Sequence, residues 1–363
     1  MRLTVRILTV IGNRPQFIKA AAVSQLLRAE HSEILVHTGQ HYDDELSEIF
    51  IRELGLPRPD RELGIAGGTN TSQTSRQLAA LELVVGEITP DLVLVYGDTN
   101  STLAGALAAA QAGIAVVHVE AGMRSFDRTM AEEVNRVVTD HLSTLLLCPS
   151  QVAVDNLARE GVLGTVELVG DVMADIARLM APRARERTQA LAGWGVEPGG
   201  YVLATAHRAA NVDDPQRLAL LVDLLTAIEL PVVLPLHPRT RARLEQAGLL
   251  GALESAPTVE ITPPLGYLDF RTLLCSARAV LTDSGGAQKE AYFAAVPAIT
   301  MRDRTEWVET VETGWNVLVD LDKDAALAAL ERPLPSEHPE LYGDGHAAAR
   351  VVSAISSISA LGS

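Results

Sequence analysis

The chain has 363 residues, of which 47% are hydrophobic and only 4% are aromatic. This length exceeds one ordinary core, so we expect two domains with aliphatic cores, as found where helices cover parallel sheets. The formal net charge of -16 argues against nucleic acid or an anionic membrane surface as the main partner. An anionic substrate can still bind where Arg, Lys and helix N-termini reverse the local field.

The two cysteines, Cys148 and Cys275, lie in apolar stretches. Such isolated residues are typical of small buried side chains and provide neither a disulfide framework nor a metal site. The N-terminus lacks a signal-peptide pattern, and no stretch reaches the roughly 18 apolar residues of a membrane-spanning helix. We therefore expect a cytoplasmic protein that does not contact a membrane.

Short β-branched runs alternate with helical patterns along the first half of the chain. They predict buried parallel strands at residues 6–12, 33–39, 91–98, 115–122, 144–150 and 165–171. This βαβ alternation is typical of a doubly wound sheet. The stretch 181–195, which is rich in Arg and Ala, predicts a connecting helix that ends at Gly193 or Gly195.

A second alternation follows, with strands predicted at residues 201–207, 231–238, 258–262, 279–286 and 297–303. The apolar tail predicts a terminal helix. We expect two doubly wound α/β domains, residues 1–175 and 176–343, facing a cleft at the carboxyl edges of their sheets, where such sheets bind ligands.

Two strand-to-helix connections have the composition of anion sites. In IGNRPQFIK (residues 11–19), Pro15 suits a first helical turn, which would place Arg14 and Lys19 near a helix N-terminus. In LTDSGGAQKEA (residues 281–291), Ser284 and the glycines could cradle a diphosphate. The alternatives are an ordinary turn with surface cations and a simple serine N-cap.

Three acids occupy positions that suit catalysis. Asp98 and Glu120 follow two apolar strands, and Glu132 lies at a predicted helix start. A charged residue at the end of an apolar strand lowers the stability of the fold unless it is paired, so an unpaired one indicates a function. Each acid alone could be a capping residue, but three near one sheet edge favour an active site. We expect the neighbouring Glu133 to be solvated or salt-bridged.

The histidines are dispersed without metal-ligand spacing, so we expect no metal. His207 ends the first strand of the second domain and is a candidate acid or phosphate ligand. His237 is a weaker candidate of the same kind, and His41 and His118 could be structural. No Gly-x-Gly-x-x-Gly loop follows the first strand, so we expect no nicotinamide requirement or other cofactor.

These motifs together resemble the non-hydrolysing UDP-N-acetylglucosamine 2-epimerase family. The residues that carry the resemblance, in family order, are GNRPQFIK, HTGQH, VYGDTNSTLAG, HVEAGMRSFD, AEEVNRVVTDHLS, TAHRAANVDDPQRL, LPLHPRTR, TDSGGAQKEA and MRDRTEWVE. The resemblance implies the fold of B-type glycosyltransferases, with a last helix (residues 344–361) packed on the first domain. It also implies UDP-sugar and UDP as ligands and a homodimer.

Carried over residue by residue, the resemblance implies roles for the candidates. The catalytic positions are Asp98, Glu120, Glu132 and His207. The substrate-binding and cleft positions are Arg14, Lys19, Arg136, His237, Phe270, Ser284, Gly285, Gly286 and Glu290. Gln40 and His41 match a loop that contacts a second, activating UDP-sugar in some members.

The sequence departs from the family pattern at Ala131, Ala210, Leu265 and Trp307. At Ala210 a carboxylate is missing, and Trp307 replaces an arginine on the substrate side. The RPQF and TEWVE variants are similar to those of epimerases of UDP-2,3-diacetamido-glucuronate. UDP-N-acetylglucosamine is therefore the first expected substrate and the uronate the second, while a B-type glycosyltransferase and a non-catalytic UDP-sugar-binding protein are further alternatives.

Overall fold

The computed structural model describes residues 4–40 and 54–361. They form two compact units, one of Met1–Arg178 with Glu340–Ser363 and the other of Leu179–Pro339. Each unit contains its own parallel sheet with helices packed on it. The chain thus has the expected two-domain, doubly wound α/β architecture.

The described strands of the first unit form one parallel sheet in the order β3-β2-β1-β4-β5-β6-β7. Their bounds are β1 Arg6–Ile11, β2 Ser32–His37, β3 Arg61–Glu62, β4 Leu92–Tyr96, β5 Ala115–Val119, β6 Leu145–Cys148 and β7 Thr165–Leu168. Every residue of β4 is buried, as expected for a central parallel strand covered on both faces. The strand order reverses between β1 and β4, the position where doubly wound sheets bind ligands.

Helices connect these strands. Their bounds are α1 Arg14–Glu30, α2 Asn70–Ile88, α3 Asn100–Gln111, α4 Ala131–Leu142, α5 Gln151–Glu160 and α6 Val172–Glu186. Asn13 caps α1 by accepting a hydrogen bond from the Gln16 N–H at 3.2 Å, and Pro15 lies in the first turn. Thr99 and Thr102 form a capping box on α3. These caps satisfy N–H groups that have no partner inside a helix, and they fix where each helix leaves the sheet.

The C-terminal helix, Ala347–Leu361, packs against α1 in the first unit. The carboxylate of Asp175 accepts hydrogen bonds from the backbone N–H groups of Ala347 at 3.0 Å and Ala348 at 2.7 Å. Farther along the helix, Ser356 Oγ lies 2.9 Å from Nε2 of His31. The last helix is therefore held both at its start and along its length.

The described strands of the second unit form a parallel sheet in the order β10-β9-β8-β11-β12-β13. Their bounds are β8 Val202–Thr205, β9 Val232–Pro235, β10 Val259–Thr262, β11 Ala279–Thr282, β12 Ala298–Thr300 and β13 Asn316–Leu318. The order reverses between β8 and β11, where Thr205 pairs with Thr282. The segments that follow these two strands therefore start side by side.

The helices of the second unit are α7 Ala209–Val212, α8 Pro215–Ala227, α9 Pro238–Ala247, α10 Leu250–Glu254, α11 Tyr267–Ser276, α12 Gly285–Phe293, α13 Val308–Glu312 and α14 Lys323–Leu330. With the C-terminal helix as α15, they complete the described helices. The core consists mainly of Leu, Val, Ile and Ala from the sheet and from helices such as α8, as the low aromatic content predicts.

Three details differ from the sequence-based expectation. The edge strands β3 and β13 were not predicted, because two or three residues carry too little pattern. The strand predicted at 279–286 ends at Thr282, and its last two residues begin α12. The helix predicted at 181–195 is the end of α6 followed by a 3-10 helix, Thr188–Trp194, which ends at left-handed Gly195.

Within the part of the chain that the structure describes, no helix combines the length and apolar character needed to cross a membrane.

Candidate active site

The turn after β4 places the first candidate acid. Gly97 has a φ of 62°, in the left-handed region, which a glycine adopts without steric cost. Asp98 follows it and Thr99 then caps α3. The side chain of Asp98 is partly exposed at the carboxyl edge of the sheet, so it can meet a ligand there.

Arg136 in α4 holds this acid. Its Nη2 lies 2.7 Å and its Nε 3.1 Å from Oδ2 of Asp98, and its Nη1 lies 2.7 Å from Oε2 of Glu133. The guanidinium group is almost fully buried. Two hydrogen bonds from this buried guanidinium hold the carboxylate of Asp98, so Asp98 has one well-defined position.

The paired glutamates at the start of α4 face different surroundings. Glu133 is buried, and its carboxylate accepts hydrogen bonds from the backbone N–H groups of Ser125 and Phe126, each at 2.9 Å. Glu133 is thus salt-bridged, one of the two expected states, and it anchors the preceding loop. Glu132 is exposed, and none of the ion pairs between described residues includes it. Glu132 lies one helical turn before Arg136, the residue that holds Asp98.

The third candidate acid is held by a lysine. Glu120 follows β5 with a φ of 70°, which is uncommon for a residue with a side chain and is found at functional sites. Its carboxylate forms an ion pair with Lys19 of α1, and both side chains are about nine-tenths buried. A Cβ atom on Gly97 would lie 3.0 Å from Nζ of Lys19, so this pair packs directly beside the turn that carries Asp98.

Two amide side chains that sequence reasoning missed also hold this turn. Nε2 of Gln16 donates to the carbonyl oxygen of Tyr96 at 2.7 Å and to Oγ1 of Thr99 at 3.0 Å. Nδ2 of Asn135 donates to the carbonyl oxygen of Asp98 at 2.9 Å. The turn is therefore fixed from α1 and from α4, a preorganisation that catalytic groups require.

The other candidates of the first unit are less informative. Gln40 uses its Oε1 to accept hydrogen bonds from the N–H of Ser101 at 3.1 Å and from its Oγ at 2.7 Å, which secures the start of α3. Arg14 is the first residue of α1, and its side chain is outside the described part of the structure. His41 lies outside the described residues.

In the second unit, Asp283 organises the segment after β8. Its buried carboxylate accepts hydrogen bonds from the backbone N–H of His207 at 3.0 Å and of Arg208 at 2.9 Å. The ring of His207 remains partly exposed, 5.6 Å from the ring of His237. His237 caps α9 by accepting from the N–H of Arg239 at 3.2 Å, so the structure brings the two candidate histidines together.

The Ser284-Gly285-Gly286 segment follows β11, the strand that pairs with β8, and it begins α12. Ser284 is its N-cap and accepts a hydrogen bond from Ala287 N–H at 3.4 Å. A Cβ atom on Gly285 would overlap Oε1 of Glu306, whereas one on Gly286 would meet nothing closer than Oγ of Ser284 at 3.8 Å. Gly285 thus admits a carboxylate against the helix start, where N–H groups attract negative charge.

Two arginines, the buried Arg302 and the partly exposed Arg208, lie beside that carboxylate. Arg302 Nη1 lies 2.9 Å and Arg208 Nη2 lies 3.7 Å from Glu306. Trp307 is buried, and Nζ of Lys289 lies over its ring at 4.1 Å from the centroid, a cation–π contact. The position where the family pattern has an arginine therefore packs against a cation from α12.

Two further candidates lie in the neighbouring helices α11 and α12. Glu290 is buried in α12. Nη1 of Arg271, in α11, donates to the backbone carbonyl oxygen of Glu290 at 3.1 Å and lies 3.8 Å from Oε2 of Glu290. Phe270, next to Arg271, is partly buried against the core. Among the described residues, no group of three or more His, Cys, Asp or Glu side chains could hold a metal ion.

Comparison with known proteins places this geometry in a family. The sequence model described as UDP-N-acetylglucosamine 2-epimerase matches residues 25–356. The UDP-2,3-diacetamido-2,3-dideoxy-D-glucuronate 2-epimerase of Pseudomonas aeruginosa is 48% identical over 357 residues, covering 95% of this chain and 98% of that protein.

The chain belongs to the UDP-N-acetylglucosamine 2-epimerase family.

Other members of the family agree in sequence and in structure. The UDP-N-acetylglucosamine 2-epimerase of Methanocaldococcus jannaschii is 40% identical over 353 residues, covering 94% of this chain and 96% of that protein. The crystal structure of the Methanocaldococcus jannaschii enzyme in complex with UDP-GlcNAc and UDP superimposes with a TM-score of 0.91, covering 98% of this chain and 100% of that chain at 38% identity. These relatives are named as epimerases, so this is an isomerase family.

The residues of the candidate site that sequence reasoning missed lie inside the motifs that carry the family resemblance. Gln16 is in GNRPQFIK, Asp283 is in TDSGGAQKEA, and Arg302 and Glu306 are in MRDRTEWVE. Each is polar and lies in or directly beside an apolar strand or helix start, which is a signal for a paired or functional group. That signal would have found them.

The steric difference between the two glycines of α12 yields a prediction. Gly285→Ala should lower the free energy of unfolding by about 1 to 3 kcal/mol, because Glu306 must leave its paired position. The measurement is urea-induced unfolding of the wild type and of both alanine variants. The matched control, Gly286→Ala, should stay close to the wild type, and equal stability of the two variants would contradict the close contact.

Proposed function

We propose that this chain is a UDP-sugar 2-epimerase whose first substrate pair is UDP-GlcNAc and UDP-ManNAc. The observation that supports it most is the pairing of Asp98 with Arg136 and of Glu120 with Lys19 at one sheet edge. Carboxylates held by cations at a defined position suit proton transfer to and from carbon. The proposal takes the catalytic roles of Asp98, Glu120, Glu132 and His207 from the family resemblance.

The chemistry requires more than a base, because the C2 proton is not next to a carbonyl group. In the proposed route a carboxylate takes the C2 proton while the C1–O bond to UDP breaks, which gives 2-acetamidoglucal and free UDP. The UDP oxygen then bonds to C1 again, and a proton reaches C2 from the opposite face. The reaction is balanced without a redox cofactor, and it is reversible.

The departing diphosphate needs positive charge and N–H donors. In the proposal these are the start of α12 at Ser284, Gly285 and Gly286, together with His207. Helix N-termini bind phosphate for this reason, and stabilising charge on a leaving group is a main source of rate enhancement. Arg14, His237, Phe270 and Glu290 are proposed to complete the contacts with UDP, as the resemblance implies.

A second substrate has specific support. The Pseudomonas aeruginosa relative, at 48% identity, acts by name on UDP-2,3-diacetamido-2,3-dideoxy-D-glucuronate. Two guanidinium groups, of Arg208 and Arg302, lie 3.7 Å and 2.9 Å from the carboxylate of Glu306. A glycosyltransferase or a non-catalytic UDP-sugar-binding protein would not need the cation-held acids.

We also propose a homodimer in the cytoplasm. The resemblance implies the homodimer, and exposed apolar side chains on the helices beside α3 support it, namely Leu83 of α2 and Val134 and Val138 of α4. Gln40 and His41 are proposed to contact a second, activating UDP-sugar. Light scattering that gives the mass of one 38.7 kDa chain would contradict the dimer.

Neighbouring glutamates in α4 allow a matched test of the active-site assignment. Glu132→Gln should lower turnover by at least about 100-fold, the scale of positioned acid–base groups, and leave the fold intact because Glu132 is exposed. Glu133→Gln should instead lower the free energy of unfolding, since its carboxylate is buried on Arg136. Asp98→Asn and Glu120→Gln should lose turnover as Glu132→Gln does.

The assay is turnover of UDP-GlcNAc without an acceptor, with thermal unfolding of each variant as the stability control. Only an epimerase converts the sugar nucleotide without an acceptor, so an acceptor requirement would favour the glycosyltransferase. Near-normal turnover in Glu132→Gln would remove Glu132 from the site.

Substrate choice is decided by comparing kcat/KM for UDP-GlcNAc and for UDP-2,3-diacetamido-2,3-dideoxyglucuronate on one preparation. We expect the greater value for UDP-GlcNAc. A preference of more than about 100-fold for the uronate exceeds what one missing apolar contact explains. That result would make the uronate the substrate and leave the epimerase assignment intact.

A further inference from the structure

His118 is a buried histidine that the proposed chemistry does not use. It lies in β5, two residues before Glu120, and its side chain is completely buried. Its Nδ1 is 2.6 Å from Oδ1 of Asp140, and its Nε2 is 2.7 Å from the carbonyl oxygen of Gly97. Gly97 directly precedes the candidate acid Asp98, so His118 connects a buried carboxylate of α4 to the catalytic turn.

Both partners of the ring are hydrogen-bond acceptors. A carbonyl oxygen cannot donate, and a neutral imidazole has only one N–H group. Oδ2 of Asp140 already accepts from Nη1 of Arg124 at 2.7 Å and from the N–H of Gly122 at 3.1 Å. Burial raises the pKa of Asp140, whereas the charge of Arg124 and its hydrogen bond lower that pKa and favour the ionised carboxylate. The two short contacts therefore both require N–H groups on the ring.

The surrounding charges agree with a protonated ring. Arg124 pairs with Asp140 and also with Glu160 of α5, whose Oε2 lies 2.7 Å from Nη2. Cys148 of β6 contributes no charge, because burial raises the pKa of its thiol. One guanidinium against two carboxylates leaves one negative charge in this cluster, which an imidazolium at His118 neutralises.

The remaining charged groups near the turn are already paired. Lys19 of α1 forms its ion pair with Glu120, and Arg136 of α4 holds Asp98. Arg136 also pairs with Glu133, so these groups are two cations and three carboxylates, which do not oppose a positive charge on the ring of His118. The charge of Asp140 is therefore the one that His118 meets directly.

We propose that His118 is held as a doubly protonated imidazolium, and that it is a positioning residue that fixes the Gly97 carbonyl and thereby Asp98. With Gln16 on the carbonyl of Tyr96 and Asn135 on that of Asp98, three consecutive carbonyl oxygens of the turn are held by side chains. His118 is the charged member of this set, and charge-assisted hydrogen bonds are the stronger ones. The effect on turnover rests on the proposed function, whereas the protonation state does not.

The protonation state is measured on the full-length wild type by NMR with ¹⁵N-labelled histidine at pH 8. An ordinary histidine, with a pKa of about 6.5, is neutral at that pH. The His118 resonances, assigned by their loss in His118→Gln, should show a proton on both ring nitrogens. One unprotonated ring nitrogen at pH 8 would overturn the imidazolium.

Two variants test the positioning role. In His118→Gln the amide nitrogen reaches towards the Gly97 carbonyl as Nε2 does, whereas in His118→Asn it reaches only towards Asp140 as Nδ1 does. We expect His118→Gln to keep kcat within about 10-fold of the wild type and His118→Asn to lose at least about 100-fold, each tenfold being about 1.4 kcal/mol. KM should be unchanged in both variants.

Thermal unfolding of both variants separates a loss of turnover caused by a displaced Asp98 from one caused by a less stable fold. Equal losses of kcat in the two variants at equal stability would leave His118 with a structural role and overturn the positioning claim. If the wild type turns over no UDP-sugar, the proposed function fails, and the NMR result still decides the protonation state. The two failures are therefore distinguishable.

Discussion

The buried guanidinium of Arg136 is the interaction on which the arrangement of the first unit depends. It joins Asp98, at the end of one strand segment, to Glu133, which holds the loop after β5 through backbone N–H groups. A charge removed from water in this way is tolerated only when its partners are complete. Two segments that carry candidate acids are thus fixed by one residue of α4, and neither can shift without breaking hydrogen bonds to a buried charged group. The same helix presents Glu132 to solvent on its first turn.

In the second unit, buried carboxylates likewise hold the segments next to the point where the strand order reverses, between β8 and β11. Asp283 binds the backbone of His207 and Arg208, while Glu306 lies at the start of α12 between two arginines. In both units, polar groups at the ends of apolar parallel strands are paired before any ligand arrives. Preorganisation of this kind lowers the cost of binding and of stabilising charge in a transition state. It also explains why the candidate residues cluster after β1, β4 and β5 in one unit and after β8 and β11 in the other.

Hydrophobic patterning was sufficient to predict the strands that are buried on both faces, because a short apolar run such as LVLVY is typical of a buried parallel strand. It failed at β3 and β13, which are too short to carry a pattern. The acids at strand ends could be found for a related reason, since charge beside an apolar strand is conspicuous. The pairing of these acids with Lys19 and Arg136 could not be predicted, because Lys19 meets Glu120 only through the packing of α1 on the sheet. Sequence alone also does not show that Glu133 is buried and Glu132 exposed, since that depends on the rotation of α4.

The central claim is that the carboxylates of the first unit exchange a proton at C2 of a UDP-linked sugar through elimination and re-addition of UDP. The most direct test is turnover of UDP-GlcNAc in heavy water, followed by mass spectrometry and NMR of the product. The account predicts deuterium at C2 of the epimerised sugar, with slow release of free UDP and 2-acetamidoglucal. Epimerisation that retains all of the original hydrogen at C2 would contradict it, because such a reaction transfers the hydrogen without exchange with solvent.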